Sequence, residues 1–368
     1  MRMVAIESVE EGLILARPIY DENARILLNV GTSLTTSHIN RLKKRITFIY
    51  VKSDVTDDIE MMDDNIPFEL RLKTTSTLSS IFSSMTNKSS QKNNLSSRIN
   101  GINELKSVLD QLLIELHHSS NLINLLSHLQ IKNDNTMFEH SLNTSLYSIS
   151  IGKALGIDEK SLHILGIGAL FHDIGKLQLP KELLEKEEKS EEEKDLVKKH
   201  TEFGFDMLRR ESELHLLVAH CAYQHHENID GSGYPRGLKG DDIHLFARII
   251  GVAEKFDFLI NRKALLPHEA MEILYGYCYT RYDISVIEAF KKAVTIFPVG
   301  ITVTLNTGEK GVIVGNDPKY PQRPKVRVYQ DKEGRRLSIK EFFDIDLMNE
   351  LSTMIIKCDA IIERKVSV

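Results

Sequence analysis

The sequence predicts a mainly α protein, in which a helical bundle is flanked by a small N-terminal α+β module and a small C-terminal antiparallel β module. Two patterns lead to this prediction. Between about residues 130 and 270, apolar residues recur at spacings of three and four, the period of an amphipathic helix. From Val299 onwards they alternate with polar residues, the period of a strand. We expect an N-terminal module over 1–70, a Ser/Asn-rich linker and helix over 71–125, the helical domain over 126–295 and a β-rich module over 296–368.

The N-terminal module is predicted from short apolar runs separated by a turn. We expect strands or turns at Val4 to Ile6, Leu13 to Ile19, Asp21 to Asn23 and Ile26 to Leu28, then a short helix over Thr36 to Ile46 and a strand over Phe48 to Val51. No ligand-binding motif is visible in this module, so the signal that it receives stays unknown.

The segment that follows leaves two questions open. Thr74 to Asn100 is rich in Ser, Asn, Thr and Lys, which is typical of either a flexible linker or a weakly packed helix. Leu105 to Leu116 and Leu122 to Leu129 carry helical apolar spacing. These stripes could pair with another copy in a homodimer, or they could cap the helical domain.

The central domain is predicted to hold five or six helices. Leu162 to Phe171 is apolar except for His163, which predicts a helix buried on most sides, and Glu182 to Lys194 reads as a solvated loop or the start of a helix. The remaining apolar stripes are Leu142, Leu146 and Ile149; Leu196, Phe203 and Met207; Leu214, Val218 and Cys221; and Ile249, Val252, Phe256 and Ile260.

The C-terminal module is predicted as a small antiparallel sheet. Ile301, Val303 and Leu305 alternate, and further strands are expected at Val312 to Val314 and at Lys325 to Tyr329. Its basic residues are interpreted as a solvated face; they are Arg323, Lys325, Arg327, Arg335 and Arg336.

Composition narrows the class of protein. Three cysteines without a C-x-x-C spacing predict neither a disulfide framework nor a thiolate zinc site, so we expect a cytoplasmic protein. No apolar segment is long enough for a membrane helix, which predicts no membrane insertion. The net charge of −5 is spread along the chain, which argues against a DNA or RNA polymer as partner and leaves a small charged ligand possible.

Histidines are the main functional signal. Those that lie at or facing a predicted core are His140, His172, His200, His225 and His226. A single histidine on an apolar face is more often a hydrogen-bonded core residue than a ligand, and pairs such as His117-His118 arise without evident purpose. However, several successive helices deliver histidine or carboxylate to one end of a bundle, and a shared metal centre would satisfy them together.

The chemistry of these donors favours a pair of transition-metal ions. Asp173 follows His172 directly, and adjacent side chains on a helix point about 100° apart, which suits a carboxylate that bridges two ions. Two ions about 3.5 to 4 Å apart can clamp a phosphodiester and activate a water molecule at neutral pH. Nitrogen and carboxylate ligands without sulfur fit Fe, Mn, Zn, Ni or Co.

A glycine-rich loop follows the last two histidines. Gly231, Gly233, Gly237 and Gly240, together with Pro235, break any helix and let the backbone and the ring of Tyr234 approach a ligand. Alone, such a segment would be a surface turn; directly after two candidate ligands, it indicates a binding loop.

At this point the residues resemble a known family. The motifs are His172-Asp173 with Gly175-Lys176, and His225-His226-Glu227 with Asp230-Gly231-Ser232-Gly233-Tyr234-Pro235. In order and spacing they resemble the HD-GYP domain of bacterial cyclic di-GMP phosphodiesterases, from about His140 to Lys263. The resemblance implies an HD-type helical bundle.

Residue by residue, the resemblance implies two divalent metal ions, with Fe or Mn favoured over Zn, Ni or Co. The implied ligands are His140, His172, Asp173, His200, His225, His226 and Glu254, with Asp173 bridging. Asp173 and Lys176 are the implied catalytic residues, Lys176 facing the scissile phosphate, although a surface lysine is the alternative. The implied substrate-binding residues are Gly233, Tyr234 and Pro235 beneath the guanines, Lys263 at a phosphate, and Arg248, whose role is either substrate binding or structural.

Three positions depart from the family pattern. Glu254 stands where aspartate is usual, and its longer side chain can still ligate a metal. Thr136 stands where members with three ions carry glutamate, which indicates a two-metal site. Lys263 replaces one phosphate-binding arginine and Leu266 a second basic residue, so the ligand is held more weakly or Arg262 compensates.

The implied function is hydrolysis of cyclic di-GMP to pGpG, GMP or both by water activated between the ions. Two alternatives stay open: a catalytically weak module that binds and senses cyclic di-GMP, and a hydrolase of another cyclic dinucleotide or phosphate ester.

Overall fold

A computed structural model describes residues 1–20, 25–44, 46–59, 66–86, 91–118, 136–317 and 319–360. The chain divides into two compact units. Among the described residues, the first comprises those within 1–59 and 295–360, and the second comprises those within 66–118 and 136–294. The two flanks of the sequence therefore belong to one unit, although they lie at opposite ends of the chain.

The N-terminal part of the first unit has the predicted α+β character. Strand β1 (Arg2–Ala5) pairs antiparallel with β4 (Phe48–Val51), and β2 (Ile19–Tyr20) pairs with β3 (Ile26–Leu28). Helix α1 (Thr36–Lys43) lies between β3 and β4 in the chain and is capped by Thr35. The turn predicted at residues 21–23 lies outside the described residues.

The C-terminal part is the predicted antiparallel sheet. Its five strands within the described residues are β5 (Thr302–Leu305), β6 (Lys310–Gly315), β7 (Lys325–Gln330), β8 (Phe343–Asp346) and β9 (Ile355–Asp359), in the order β8-β7-β6-β5-β9. The backbone amides of Met3 and Ala5 donate to the carbonyls of Gly300, at 2.9 Å, and Ala360, at 2.7 Å. These bonds join the first strand of the chain to the C-terminal part.

Two arginines of the C-terminal part form ion pairs, and Arg327 departs from the predicted solvated face, whereas Arg336 is exposed as predicted. Arg327 pairs with Asp344 at 2.8 Å and also contacts Asp58, and Arg336 pairs with Asp54 at 3.0 Å. Because Asp54 and Asp58 belong to the N-terminal part, these arginines join the two flanks of the sequence. The alternation of apolar and polar residues along a strand predicts which side chains point to each face of the sheet. Only the tertiary structure shows which other residues cover that face.

The second unit is helical. Its longer helices are α2 (Phe68–Thr86), α3 (Gln91–His118), α4 (Thr136–Ala154), α5 (Glu159–Phe171), α8 (His200–Leu208), α9 (Leu216–Gln224), α10 (Leu245–Asn261), α11 (Pro267–Gly276) and α12 (Ile284–Ala293). The short helices α6 (Lys181–Glu185) and α7 (Glu191–Lys198) lie between α5 and α8. None of the described helices combines the length and the apolar character that spanning a bilayer requires.

Helices also occupy two segments that the sequence left open. The Ser/Asn-rich stretch lies mostly in α2 and α3, which supports the helical alternative over a linker. The charged stretch before α8 forms α7, because Ser190 and Glu193 make reciprocal capping hydrogen bonds at its start. The described part of the central domain therefore holds more helices than the predicted five or six.

The stripe on α3 is buried inside the second unit. Leu105, Leu109 and Leu112 have no exposed surface, and Leu109 approaches Gly166 of α5. This burial supports the alternative in which the stripe caps the helical domain, rather than the one in which it pairs with a second copy in a homodimer. The second stripe, at 122–129, lies outside the described residues.

Helix α5 is the centre of the second unit. Every residue from Leu165 to Phe171 is buried, as the apolar run predicted, and α4 and α9 both pack against it. Gly168 permits the approach of α9, because a Cβ at this position would lie 2.6 Å from the sulfur of Cys221. The end of α5 therefore lies deep in the protein, and the residues that follow it, His172 and Asp173, are 0% and 1% exposed.

Candidate metal centre

Asp173 is the centre of the predicted site. Its Oδ1 lies 3.4 Å from Nε2 of His200 and 3.8 Å from Nε2 of His225. Its Oδ2 lies 3.5 Å from Nε2 of His172 and 3.9 Å from Nε2 of His140. The two oxygens of one carboxylate thus face two different pairs of imidazoles, which is the arrangement that a bridging ligand requires.

All seven predicted ligands are brought together in two adjoining groups. One group is Asp173, His200, His225 and His226, and the other is His140, His172 and Glu254. Within each group the potential ligand atoms lie within 4.8 Å of one another. Glu254 also lies 3.8 Å from His226, so it borders both groups.

The backbone fixes the orientation of three of the histidines. The Nδ1 atoms of His172 and His200 lie 2.7 Å from the carbonyls of Ala169 and Val197, and that of His225 lies 3.1 Å from the carbonyl of Cys221. A carbonyl can only accept a hydrogen bond, so Nδ1 carries the proton in each ring. The Nε2 lone pairs are therefore free to point into the site.

His140 is oriented by a side chain that the sequence reading did not assign. Its Nδ1 lies 2.6 Å from Oδ2 of Asp257, and Oδ1 of Asp257 accepts from Asn261 at 2.6 Å. Asp257 follows Glu254 by three residues, so both lie on one face of α10. That spacing is the sequence signal that could have identified it.

Burial sets the protonation states that ligands need. It lowers the pKa of His172 and of His200 to about 4, and that of His226 to about 3, against the opposing charge of Asp173. Burial would raise the pKa of Asp173, but Lys176 and the surrounding histidines outweigh it and hold this pKa well below its usual range. At neutral pH, these imidazoles are neutral and the carboxylate is charged.

Two buried atoms show that the site fits a metal. His172 Nε2 and Asp173 Oδ1 are buried and lack any hydrogen-bond partner among the described residues. Unpartnered buried polar atoms cost free energy, and they are rare in folded proteins. Because both atoms are lone-pair donors and face neighbouring ligands, the His/Asp cluster is compatible with divalent metal ions.

Lys176 lies directly beside the bridging carboxylate. Its ammonium donates to Asp173 Oδ2 at 2.5 Å. Burial would lower the pKa of Lys176, but the charges of Asp173 and Glu254 outweigh this effect and raise it. The side chain is therefore a partly buried cation, 26% exposed, that lies against the bridging carboxylate rather than on the open surface.

Gly175 lets the chain after Asp173 pack tightly on α8. A Cβ at this position would lie 1.9 Å from the carbonyl oxygen of His200 and 2.5 Å from the amide nitrogen of Gly204. Only a residue without a side chain permits this contact. The glycine thus determines how close Asp173 comes to His200.

The glycine-rich loop lies against the site, as expected of a binding loop. Tyr234 stacks on His226 with ring centroids 4.8 Å apart and planes at 28°. The buried carboxylate of Glu227 accepts from the amides of Arg236, at 2.8 Å, and Leu238, at 2.9 Å, which holds the loop in place. Gly233 packs against the backbone, where a Cβ would lie 2.3 Å from the amide nitrogen of Asn228.

Two predicted substrate-binding residues lie outside the two ligand groups. Arg248 pairs with Asp283 at 2.8 Å and with Asp241 at 3.0 Å, which supports the structural alternative for this residue. Lys263 lies after the end of α10, with its ammonium 5.9 Å from the ring centroid of Phe258. Leu266 is buried and begins the capped turn of α11.

Two parts of the chain match known protein families. Residues 118–286 match the HD domain family, and residues 302–367 match the family described as a KOW domain associated with HD domain. The chain is 32% identical over 211 residues to a cyclic di-GMP phosphodiesterase of Pseudomonas aeruginosa, covering 56% of this chain and 51% of that protein. It is 35% identical over 176 residues to a 3'3'-cGAMP-specific phosphodiesterase of Vibrio cholerae, covering 46% of this chain and 38% of that protein.

A solved structure is also similar. An HDG"Y"P protein from Bdellovibrio bacteriovorus matches with a TM-score of 0.48 and 20% identity, over 78% of this chain and 97% of that one. The match to the Pseudomonas protein spans only about half of that protein's length.

Proposed function

We propose that this chain, whose residues 118–286 match the HD domain family, hydrolyses cyclic di-GMP in a metal-dependent reaction. The observation that carries the proposal is the carboxylate of Asp173, whose two oxygens face two separate pairs of histidines. Several relatives of this chain, including the Pseudomonas protein, are named cyclic di-GMP phosphodiesterases.

The metals in this proposal are two divalent ions, iron or manganese first, with zinc, nickel or cobalt as alternatives. His140, His172 and Glu254 would hold one ion, and His200, His225 and His226 the other, with Asp173 shared. When bound, the ions supply Lewis-acid activation of water and of the phosphoryl oxygens. Lys176 would place its ammonium against negative charge that develops on the scissile phosphate.

The glycine-rich loop is the proposed binding surface for the guanines. Gly233, Tyr234 and Pro235 lie beside His226, so a base on this surface would border the ligand groups. Lys263 would contact a phosphate. Arg248 would have a structural role, because its guanidinium already pairs with Asp241, just before α10, and with Asp283, at the start of α12.

The products are proposed to be pGpG, GMP or both. A second candidate is hydrolysis of another cyclic dinucleotide, which is favoured by the 35% identity to the cGAMP-specific protein. A third is a catalytically weak module that senses cyclic di-GMP, because Glu254 and Leu266 depart from the pattern of active members.

The deciding experiment is a turnover assay on anaerobically loaded protein. The full chain is loaded with Fe(II) or Mn(II) and supplied with cyclic di-GMP or 3'3'-cGAMP, beside a His172→Ala, Asp173→Ala control whose fold is checked by circular dichroism. We expect cyclic di-GMP to be cleaved and the control to be inactive. Binding without turnover would identify a sensor, and comparable rates on both substrates would identify the broader hydrolase.

Two further points belong to the proposal. A cytoplasmic location is also proposed, because three cysteines without a C-x-x-C spacing are typical of a reducing compartment. A homodimer stays a prediction, to be tested by sedimentation, because the described stripe on α3 is buried within the second unit.

A further inference from the structure

Three cationic side chains lie on aromatic rings beside the end of α10. The ammonium groups of Lys255 and Lys263 lie 5.0 Å and 5.9 Å from the ring centroid of Phe258, and the guanidinium of Arg281 lies 4.5 Å from that of Tyr277. We name these five residues the cationic rim. Phe258 and Tyr277 are 38% and 37% exposed, so the rim is open to a ligand.

The cationic rim borders the metal centre on two sides. Phe258 follows Glu254 by one helical turn, so both side chains leave the same face of α10. Across from it, the carbonyls of Thr280 and Arg281 accept from the amides of Asp230, at 2.9 Å, and Ile229, at 3.3 Å. The segment that carries Tyr277 and Arg281 is therefore bonded directly to the glycine-rich loop.

Within the described residues, the three cations of the cationic rim form no ion pair. In the part of the chain that the structure describes, no carboxylate lies within ion-pair distance of Lys255, Lys263 or Arg281. Hydrogen bonds from Ser232, and to a smaller extent the charge of Arg281, lower the pKa of the exposed Asp230, which forms no ion pair with Arg281 in the described part of the chain.

Uncompensated like charges that gather at one place repel each other, and an anion placed among them removes that repulsion. A cyclic dinucleotide supplies such an anion. It carries two phosphodiesters, and only one of them can lie at the metal ions during cleavage. The other needs cationic partners at the edge of the site.

Resting on the proposed function, we propose that the cationic rim binds the phosphodiester that is not cleaved, with Lys255 and Arg281 as its principal charges. Lys263 then acts as one of three cations rather than as the sole phosphate contact. Leu266 is apolar and buried at the start of α11, so it does not serve as the second basic residue at the phosphate. Arg281, from a different segment of the chain, supplies that positive charge instead.

The test is a binding measurement on the full chain loaded with Mn(II). The probe is a bis-phosphorothioate analogue of cyclic di-GMP, which resists hydrolysis, and its Kd is measured by titration calorimetry. The variants are Lys255→Gln with Arg281→Gln, and the matched control is Arg210→Gln, an exposed arginine in the turn after α8. We expect the double variant to raise Kd by about tenfold or more, and the control to stay within about twofold of the wild type.

A second probe separates the cationic rim from the metal centre. Bis(p-nitrophenyl) phosphate carries a single phosphodiester, so the ratio of its Kd to that of the dinucleotide should fall by about tenfold in the double variant. An unchanged dinucleotide Kd, or an equal loss for both probes, would overturn the proposal. Turnover of cyclic di-GMP is measured in parallel. If the wild type does not cleave it but still binds the analogue more tightly than the double variant does, the proposed reaction is wrong and the proposed phosphate-binding site is supported.

Discussion

The Nδ1 atom of His140 lies 2.6 Å from the Oδ2 atom of Asp257, and this contact fixes the ring of a predicted metal ligand. His140 lies on α4 and Asp257 on α10, so the contact also joins two helices of the second unit. The other side of the carboxylate is held by Asn261 at 2.6 Å. Such a carboxylate sets the tautomer of the imidazole and makes it a better ligand.

We therefore expect Asp257→Asn to weaken the ion held by His140, His172 and Glu254. Outer-shell partners of this kind are worth about 10- to 100-fold in metal affinity. The measurement is the number of Mn(II) ions retained after dialysis, which should fall from two towards one. Asp206→Asn, on the exposed side of α8, is the control. Two ions retained by the Asp257 variant would contradict the role given to this residue.

Replacing Gly175 by alanine should disrupt the site through its backbone. The added Cβ would lie 1.9 Å from the carbonyl oxygen of His200, so either the start of α8 or the turn after Asp173 must move. We expect a loss of about 3 kcal/mol or more in the free energy of unfolding, together with lost metal binding. Urea denaturation measures the first effect.

Gly276→Ala is the matched control for Gly175. It ends α11, and a Cβ there meets no heavy atom within 4 Å. Its substitution should leave stability unchanged or raise it slightly, by about 0.5 kcal/mol, because alanine restricts the unfolded chain. Equal losses in both variants would show that the close approach at Gly175 is not the cause.

The metal-free chain should lose stability as the pH falls from about 6.5 to about 4. Burial lowers the pKa of His172 and His200 to about 4, so the unfolded chain binds protons first on acidification. The stability from each neutral imidazole is present above pH 6.5 and is lost as the pH falls through the folded pKa, at up to about 3 kcal/mol for each. The free energy of unfolding is measured by urea denaturation of chelator-treated protein at pH 7, 5.5 and 4.5. Its dependence on pH should become weaker in His200→Gln and should stay unchanged in His117→Gln, because His117 is exposed.

Tyr279 has a backbone conformation that is costly for a tyrosine. Its φ is 64°, in the left-handed region, and its side chain is 72% exposed. Tyr279→Gly should therefore relieve strain of about 1 kcal/mol while losing little burial, and raise the melting temperature by a few degrees. Tyr279→Ala keeps the Cβ and should give no such gain; a similar rise in both variants would point to the ring instead of the backbone.

The sequence by itself determined which chemical groups form the site and the type of element that carries them. His140, His200 and Glu254 lie on helices, and His172 and Asp173 directly follow one, because apolar residues around them recur with the helical period. The buried run of α5 and the alternating strands of the C-terminal sheet were predicted for the same reason. Periodicity is a local property, so a single chain segment is enough to read it.

Only the tertiary structure decided how those groups face one another. It placed the two oxygens of Asp173 against different histidines, set Asp257 on His140, and paired Arg248 with Asp241 and Asp283. It also gathered Lys255 and Arg281, which are 26 residues apart in the sequence, beside one loop. These relationships depend on the direction in which each side chain leaves its helix and on which helices pack together, and both are set by contacts between distant residues that no local pattern records.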